Sequence, residues 1–178
     1  IGPVLARAIR PWLDELDGKW LARHLLGGVV VDDIPRDLVT PLMRDAMSGS
    51  EFIVYPVPNA LFQRDPSCWI FGTVTCNPMY WAARKPETLF QRVVYKFHPM
   101  FRDADFEILW GDADEDWGYA AMEGGDVMPI GRGTVLIGMG ERTTRQAVSQ
   151  VALRLFETGQ AERVILCAMP RSRAAMRL

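Results

Sequence analysis

Two stretches of this chain follow one order of elements, and that repetition narrows the fold more than any other feature. In the first, Cys68 to Phe71 and Thr73 to Cys76 read as strands around Gly72. A helix pattern follows from about Glu87, with Leu89, Val93 and Phe97 on one face. Phe106 to Trp110 closes the stretch as a strand. In the second, Val127 to Ile130 and Thr134 to Met139 flank the turn signal Gly131-Arg132-Gly133. Thr143 and Gln146 form a capping box for a helix facing inward through Val148, Val151 and Leu155, and Arg163 to Cys167 is the closing strand. Gly-Thr-Val recurs at 72–74 and 133–135. Repetition of a strand, strand, helix, strand unit predicts blades around an axis, with sites where blades meet.

Each copy also carries a carboxylate followed by an arginine. Asp65 stands 19 positions before Arg84, and Glu123 stands 19 positions before Arg142. Asp65 ends the run Asn59-Ala60-Leu61-Phe62-Gln63-Arg64-Asp65, ahead of Pro66, and Glu123 opens Glu123-Gly124-Gly125-Asp126. Carboxylates suit a cation and arginines suit an anion, and such charge-assisted pairs are the strong ones. A small zwitterion bearing a guanidinium fits both, free arginine first. Each residue also has a plainer reading. Asp65 could be a turn acid before proline, and Glu123 a charged residue ahead of a hairpin. Arg84 and Arg142 could be solvated arginines near helix starts. Arginine at a helix N-terminus opposes the dipole, however, so two such placements point away from a structural reason. The glycines after Glu123 would let backbone approach a ligand closely.

Residues 1 to about 50 read as helical. Leu5, Ile9, Trp12, Leu13 and Leu16 mark one helix face, with Pro11 as a kink or a start. Lys19 to Leu26 supplies a second helix, and Pro35 with Leu38, Leu42 and Met43 a third. No strand is expected there; Phe52 to Tyr55 is the first β-rich run. At 49% hydrophobic and 24% charged residues, the 178-residue chain has material for a core and does not look disordered. A net charge of −2 without a basic block fits neither nucleic acid nor an anionic membrane. Apolar runs such as Gly28 to Val31 are too short to span a bilayer, and no secretory leader is visible. Three cysteines without metal-like clustering suit a reducing cytosol. A start at Ile1 and a stop at Leu178, straight after helix-like sequence, read as those of a fragment.

Through Asn59, Phe62-Gln63-Arg64-Asp65, Glu123-Gly124-Gly125-Asp126 and Met176-Arg177-Leu178, the chain resembles arginine deiminases over essentially its whole length. These belong to the pentein superfamily of five-bladed α/β propellers. The resemblance implies an α/β fold in which residues 1–50 end an inserted helical bundle and residues 51–178 make about two blades of an incomplete propeller. It implies hydrolysis of L-arginine to L-citrulline and ammonia through a covalent cysteine intermediate, with the nucleophile beyond Leu178. No metal and no organic cofactor are implied. The expected partner is L-arginine alone, without nucleic acid or membrane, in a cytoplasmic protein whose full-length form could be a homo-oligomer. Asp65 would accept the substrate guanidinium, and Glu123 would work with a histidine in proton transfer. Arg84 and Arg142 would hold the α-carboxylate. Asn59 and Phe62 would line the pocket, although Phe62 on its own reads as core. Asp126 would contact the guanidinium or α-amino end, or cap a turn, and Arg64 would brace the site through ion pairs.

One departure matters. Arg177, 54 positions after Glu123, stands where the family's Met-His-Leu has its catalytic histidine. Arginine holds its proton far above neutral pH and cannot act as acid or base there. Cys68, Cys76 and Cys167 lie in strand-like apolar stretches and read as core, not as nucleophiles; His24 and His98 match no motif. The chain as written is therefore expected to be inactive. Two other readings follow: an inactive arginine-binding protein of the same fold, or a guanidine-modifying enzyme for agmatine, methylated arginine or amidino transfer. Agmatine lacks the carboxylate that Arg84 and Arg142 would bind.

Overall fold

The computed structural model of the chain describes residues 2–172 and residue 178, so Arg177 lies outside the described residues. The chain divides into two compact units, Ile1–Pro58 and Asn59–Leu178. No helix among the described residues is long and apolar enough to cross a membrane.

In the first unit, helix α1 (Pro3–Glu15) continues through Pro11 as one element. The Asp17 carboxylate caps α2 (Gly18–Gly27) by accepting from the Lys19 and Trp20 amides at 2.8 and 3.0 Å. Strand β1 (Val29–Val30) pairs antiparallel with β2 (Phe52–Val54), so this region contains a strand that the sequence pattern did not predict. Its partner lies more than twenty positions away, and two valines alone carry no period. The third helix, α3, runs Pro41–Ala46 and starts later than Pro35 suggests, with Pro41 in the first helical position that its ring suits. Ile9, Val29, Val31, Ile34, Val39 and Ile53 form the core, with Leu5, Trp12 and Leu13 packed on it.

The second unit holds the two repeats. In the first, β3 (Trp69–Ile70) pairs antiparallel with β4 (Thr73–Thr75). After α4 (Lys85–Phe97) and the short α5 (Pro99–Arg102), β5 (Glu107–Trp110) returns parallel to β4. In the second, β6 (Val127–Gly131) and β7 (Thr134–Met139) form the hairpin. Arg132 and Gly133 both take positive φ at its turn. Helix α6 (Arg145–Glu157) then leads to β8 (Arg163–Ala168), parallel to β7. The result is a mixed α/β unit with two three-stranded sheets of the same order and sense.

The two helices dock differently. Val148, Val151 and Leu155 of α6 are buried among Ile70, Met122, Val127, Val135 and Ile137, as their spacing predicts. On α4 the predicted face is the wrong one: Leu89 and Val93 are each 45% exposed and Phe97 is 61% exposed. The buried positions are Glu87, Thr88 and Tyr95. The Thr88 hydroxyl donates to the Asn77 carbonyl at 2.5 Å, and the Tyr95 and Ser67 hydroxyls share a hydrogen bond of 2.7 Å. The Tyr95 ring packs edge-on against Trp69, Phe101 and Phe106. Polar anchoring and an aromatic cluster have outweighed the aliphatic stripe.

Two further expectations change. Thr144, not Thr143, caps α6 by accepting from the Ala147 amide, because the Thr143 hydroxyl is committed elsewhere. Cys167 is exposed rather than core; among the described residues β8 pairs with β7 alone and stands at the end of its sheet.

Candidate functional site

The segment leading to Asp65 is a pair of consecutive turns, the Phe62 amide reaching the Asn59 carbonyl and the Asp65 amide the Phe62 carbonyl. They carry Asp65 inward to 1% exposure, far from the solvated fate of an ordinary turn acid. The Asp65 carbonyl accepts from the Asn77 side-chain amide at 2.8 Å and from the Gly124 amide at 2.9 Å. The second bond ties the two repeats together one residue beyond Glu123. A Cβ on Gly124 would lie 2.2 Å from the Arg64 carbonyl oxygen and 2.7 Å from the Cys68 Cβ, so only glycine fits this approach. Arg64 reinforces the joint by donating from Nη2 to the Val127 carbonyl at 2.7 Å. It braces the site, though through a carbonyl where an ion pair was expected.

Glu123, fully buried, precedes the 3-10 turn Gly124–Asp126. Its amide donates to the Thr143 hydroxyl oxygen at 3.1 Å, and that hydroxyl donates to Asp126 Oδ2 at 2.5 Å. Thr143 thus links Asp126 to Glu123. Arg142, on the loop between β7 and α6, donates from Nη1 to Glu123 Oε2 at 3.1 Å and Oε1 at 3.4 Å.

Arg84 closes the 3-10 turn Ala82–Arg84 just ahead of α4 and is 5% exposed. Its Nη1 donates to Asp65 Oδ2 at 3.2 Å and to Glu123 Oε1 at 3.3 Å, so one guanidinium joins a carboxylate from each repeat. Its other edge is held by Glu87, with Nε to Oε1 at 2.8 Å and Nη2 to Oε2 at 2.7 Å. Burial works against the Arg84 charge. The hydrogen bond and charge of Glu87, with the charges of Glu123 and Asp65, outweigh it and hold the guanidinium above its ordinary value. Burial raises the Glu123 carboxyl above its usual range, against the hydrogen bond and charge of Arg142. Burial likewise raises Asp126, against the Thr143 hydrogen bond.

The structure therefore brings Asp65, Arg84, Glu123, Arg142 and Asp126 into one cluster. Asn59 and Phe62 stand at the head of the turn that delivers Asp65, and Phe62 is 48% exposed, not core. Sequence reasoning missed Glu87, Thr143 and Asn77. Glu87 carried one usable signal, a carboxylate three positions after Arg84 where a helix begins. Cys68 and Cys76 are buried; burial pushes the Cys68 thiol up and takes Cys76 to about 11, so neither is a thiolate at neutral pH.

A family model described as arginine deiminase matches residues 8–178. Among solved structures, an adduct of dimethylarginine dimethylaminohydrolase with 4-chloro-2-hydroxymethylpyridine is 20% identical at a TM-score of 0.47, covering 64% of this chain and 43% of that one. A cysteine-to-serine mutant of the Pseudomonas aeruginosa enzyme of that name, complexed with citrulline, is 18% identical at 0.46, covering 67% and 42%. SxtG, an amidinotransferase from Microseira wollei in the saxitoxin biosynthetic pathway, is 15% identical at 0.45, covering 94% and 50%. The chain thus spans half or less of the length of these proteins.

Proposed function

This chain belongs to the arginine deiminase family, and from that premise we propose that it supplies the cation-binding part of a site hydrolysing L-arginine to L-citrulline and ammonia. One observation supports this reading above the rest: Asp65 and Glu123, from different repeats, meet on a single guanidinium nitrogen at 3.2 and 3.3 Å. Arg84 of the chain itself offers there part of what a substrate guanidinium would offer. A planar cation with five N–H donors suits such a pair better than an ammonium does.

In this proposal Asp65 and Glu123 orient the substrate cation, with Asp126 holding Glu123 in place through Thr143. A carboxyl raised by burial, as Glu123 is, holds a proton more readily than an exposed one, which suits a group that takes and returns protons. Arg142 takes the α-carboxylate, while Asn59 and Phe62 line the entry. A cysteine thiolate bonds to the guanidinium carbon, and a terminal C–N bond breaks as its nitrogen gains a proton and leaves as ammonia. Water then displaces the sulfur to give citrulline. On the family's pattern the nucleophile is none of Cys68, Cys76 and Cys167. Residues 51–178 would be about two blades of a five-bladed propeller, and residues 1–50 the end of an inserted helical bundle; the shared connectivity of the two sheets supports the blade reading.

Arg177 favours a second reading, an arginine-binding protein without turnover. Calorimetry with L-arginine, a citrulline assay and an Arg177→His variant separate the two in the protein carrying this chain. Citrulline production supports the enzyme. Binding without citrulline, with turnover gained in the variant, supports the second reading. Absence of arginine binding overturns both.

A further inference from the structure

Arg84 is held more tightly by a residue outside the expected site than by the site itself. Its contacts to Glu87 are 2.8 and 2.7 Å, whereas those to Asp65 and Glu123 are 3.2 and 3.3 Å. Glu87 is 3% exposed, in the first turn of α4, and both its oxygens serve Arg84. A buried carboxylate is retained only where it is paired, and here one arginine provides the pairing. The geometry divides the fork: the Nε and Nη2 edge belongs to Glu87, and Nη1 alone faces the two site carboxylates. Arg142 adds a second guanidinium to the cluster, on Glu123 at 3.1 Å.

We propose that Glu87 is a positioning residue of the guanidinium site, acting through Arg84. It neutralises most of the Arg84 charge and restricts Arg84 to a single bridging nitrogen. Asp65 and Glu123 thereby meet one nitrogen of that guanidinium and not its whole fork. Without the Glu87 charge, the Arg84 guanidinium turns wholly onto Asp65 and Glu123 and competes with the ligand for the same oxygens. This inference rests on the guanidinium-binding reading above and adds to it the residue that keeps the chain's own arginine from filling the site.

The test uses the protein carrying this chain, its Glu87→Gln and Glu87→Asp variants, and each in an Arg84→Met background. L-arginine and methylguanidine are titrated by calorimetry, and the Arg84 Nε–H proton is followed by NMR. Glu87→Gln, which keeps the shape and loses the charge, should weaken both ligands about tenfold. Glu87→Asp should recover part of that loss, and the effect should vanish in Arg84→Met. The Arg84 Nε–H, protected from exchange by Glu87, should exchange faster in Glu87→Gln whether or not ligand is present. A Glu87→Gln protein that melts earlier but binds both ligands unchanged makes Glu87 purely structural and overturns the proposal. A loss of equal size in the Arg84→Met background overturns the route through Arg84. If the parent protein binds neither ligand, the guanidinium-binding reading falls and takes this proposal with it. Normal binding with an unprotected Nε–H defeats the positioning role alone.

Discussion

The two repeats share connectivity and sheet order, yet they secure their helices by different physics. The second seats α6 through Val148, Val151 and Leu155 in a shared apolar core. The first seats α4 through Thr88, Tyr95 and the Glu87–Arg84 pair, leaving Leu89, Val93 and Phe97 exposed. The carboxylate–arginine pairs diverge likewise. Arg142 meets Glu123 of its own repeat, whereas Arg84 reaches Asp65 of its own and Glu123 of the other. One duplicated unit thus has one helix docked by apolar burial and another docked by polar contacts that also build the site.

The largest expected difference lies between the two arginines. Arg84→Ala should destabilise by about 3–5 kcal/mol, because it strips the buried Glu87 of the arginine that holds both its oxygens and takes a contact from Asp65 and Glu123, while Arg142→Ala should cost markedly less. Urea denaturation of both variants measures this, and equal losses would erase the asymmetry. The leucines should rank the helices in the opposite order. Leu155→Ala should cost about 3 kcal/mol through its cavity, and Leu89→Ala no more than about 0.5 kcal/mol. Comparable midpoint shifts would show that α4 rests on its aliphatic face after all. Tyr95→Phe leaves the buried Ser67 hydroxyl without its 2.7 Å partner and should cost about 1–2 kcal/mol at constant denaturant slope.

The smallest effect concerns pH. Glu123 and Asp126 both have carboxyls raised on folding, so the folded state binds their protons more tightly than the unfolded state. Stability from these groups is therefore greater on the acid side and falls as pH rises from the ordinary carboxyl range through their raised values. Asp126→Asn removes one contributor, and its stability should fall less between about pH 4 and pH 7 than that of the parent. Denaturation curves at both pH values report the difference; parallel losses would mean that Asp126 does not titrate in this window.

The same contrast explains what could be read from sequence. Apolar spacing located the inward face of α6 because that helix is held by aliphatic burial. It failed on α4 because Thr88 and Glu87 count as polar in any periodic pattern, and their partners, Asn77 and Arg84, are specified by tertiary contact. The repeated carboxylate–arginine spacing placed Asp65, Glu123, Arg84 and Arg142 together in advance. It could not reveal that Arg84 would be engaged on both edges, since the decisive carboxylate sits outside the repeated motif. Thr143 looked like a cap because its spacing to Gln146 fits one. Only the folded chain brings Asp126 close enough to claim its hydroxyl.

The contact at Gly124 bears on how the chain could change over time. The carbonyl of Asp65 and the amide of Gly124 meet directly, and a side chain at that glycine would strike backbone. The distance between the two half-sites is therefore set at this point by main-chain atoms, which the Arg64 side chain reinforces without spacing them. Substitutions elsewhere in either sheet can exchange one apolar group for another without resetting that gauge. Each copy is free to diverge in its interior, as α4 and α6 have, while their meeting point keeps its dimension.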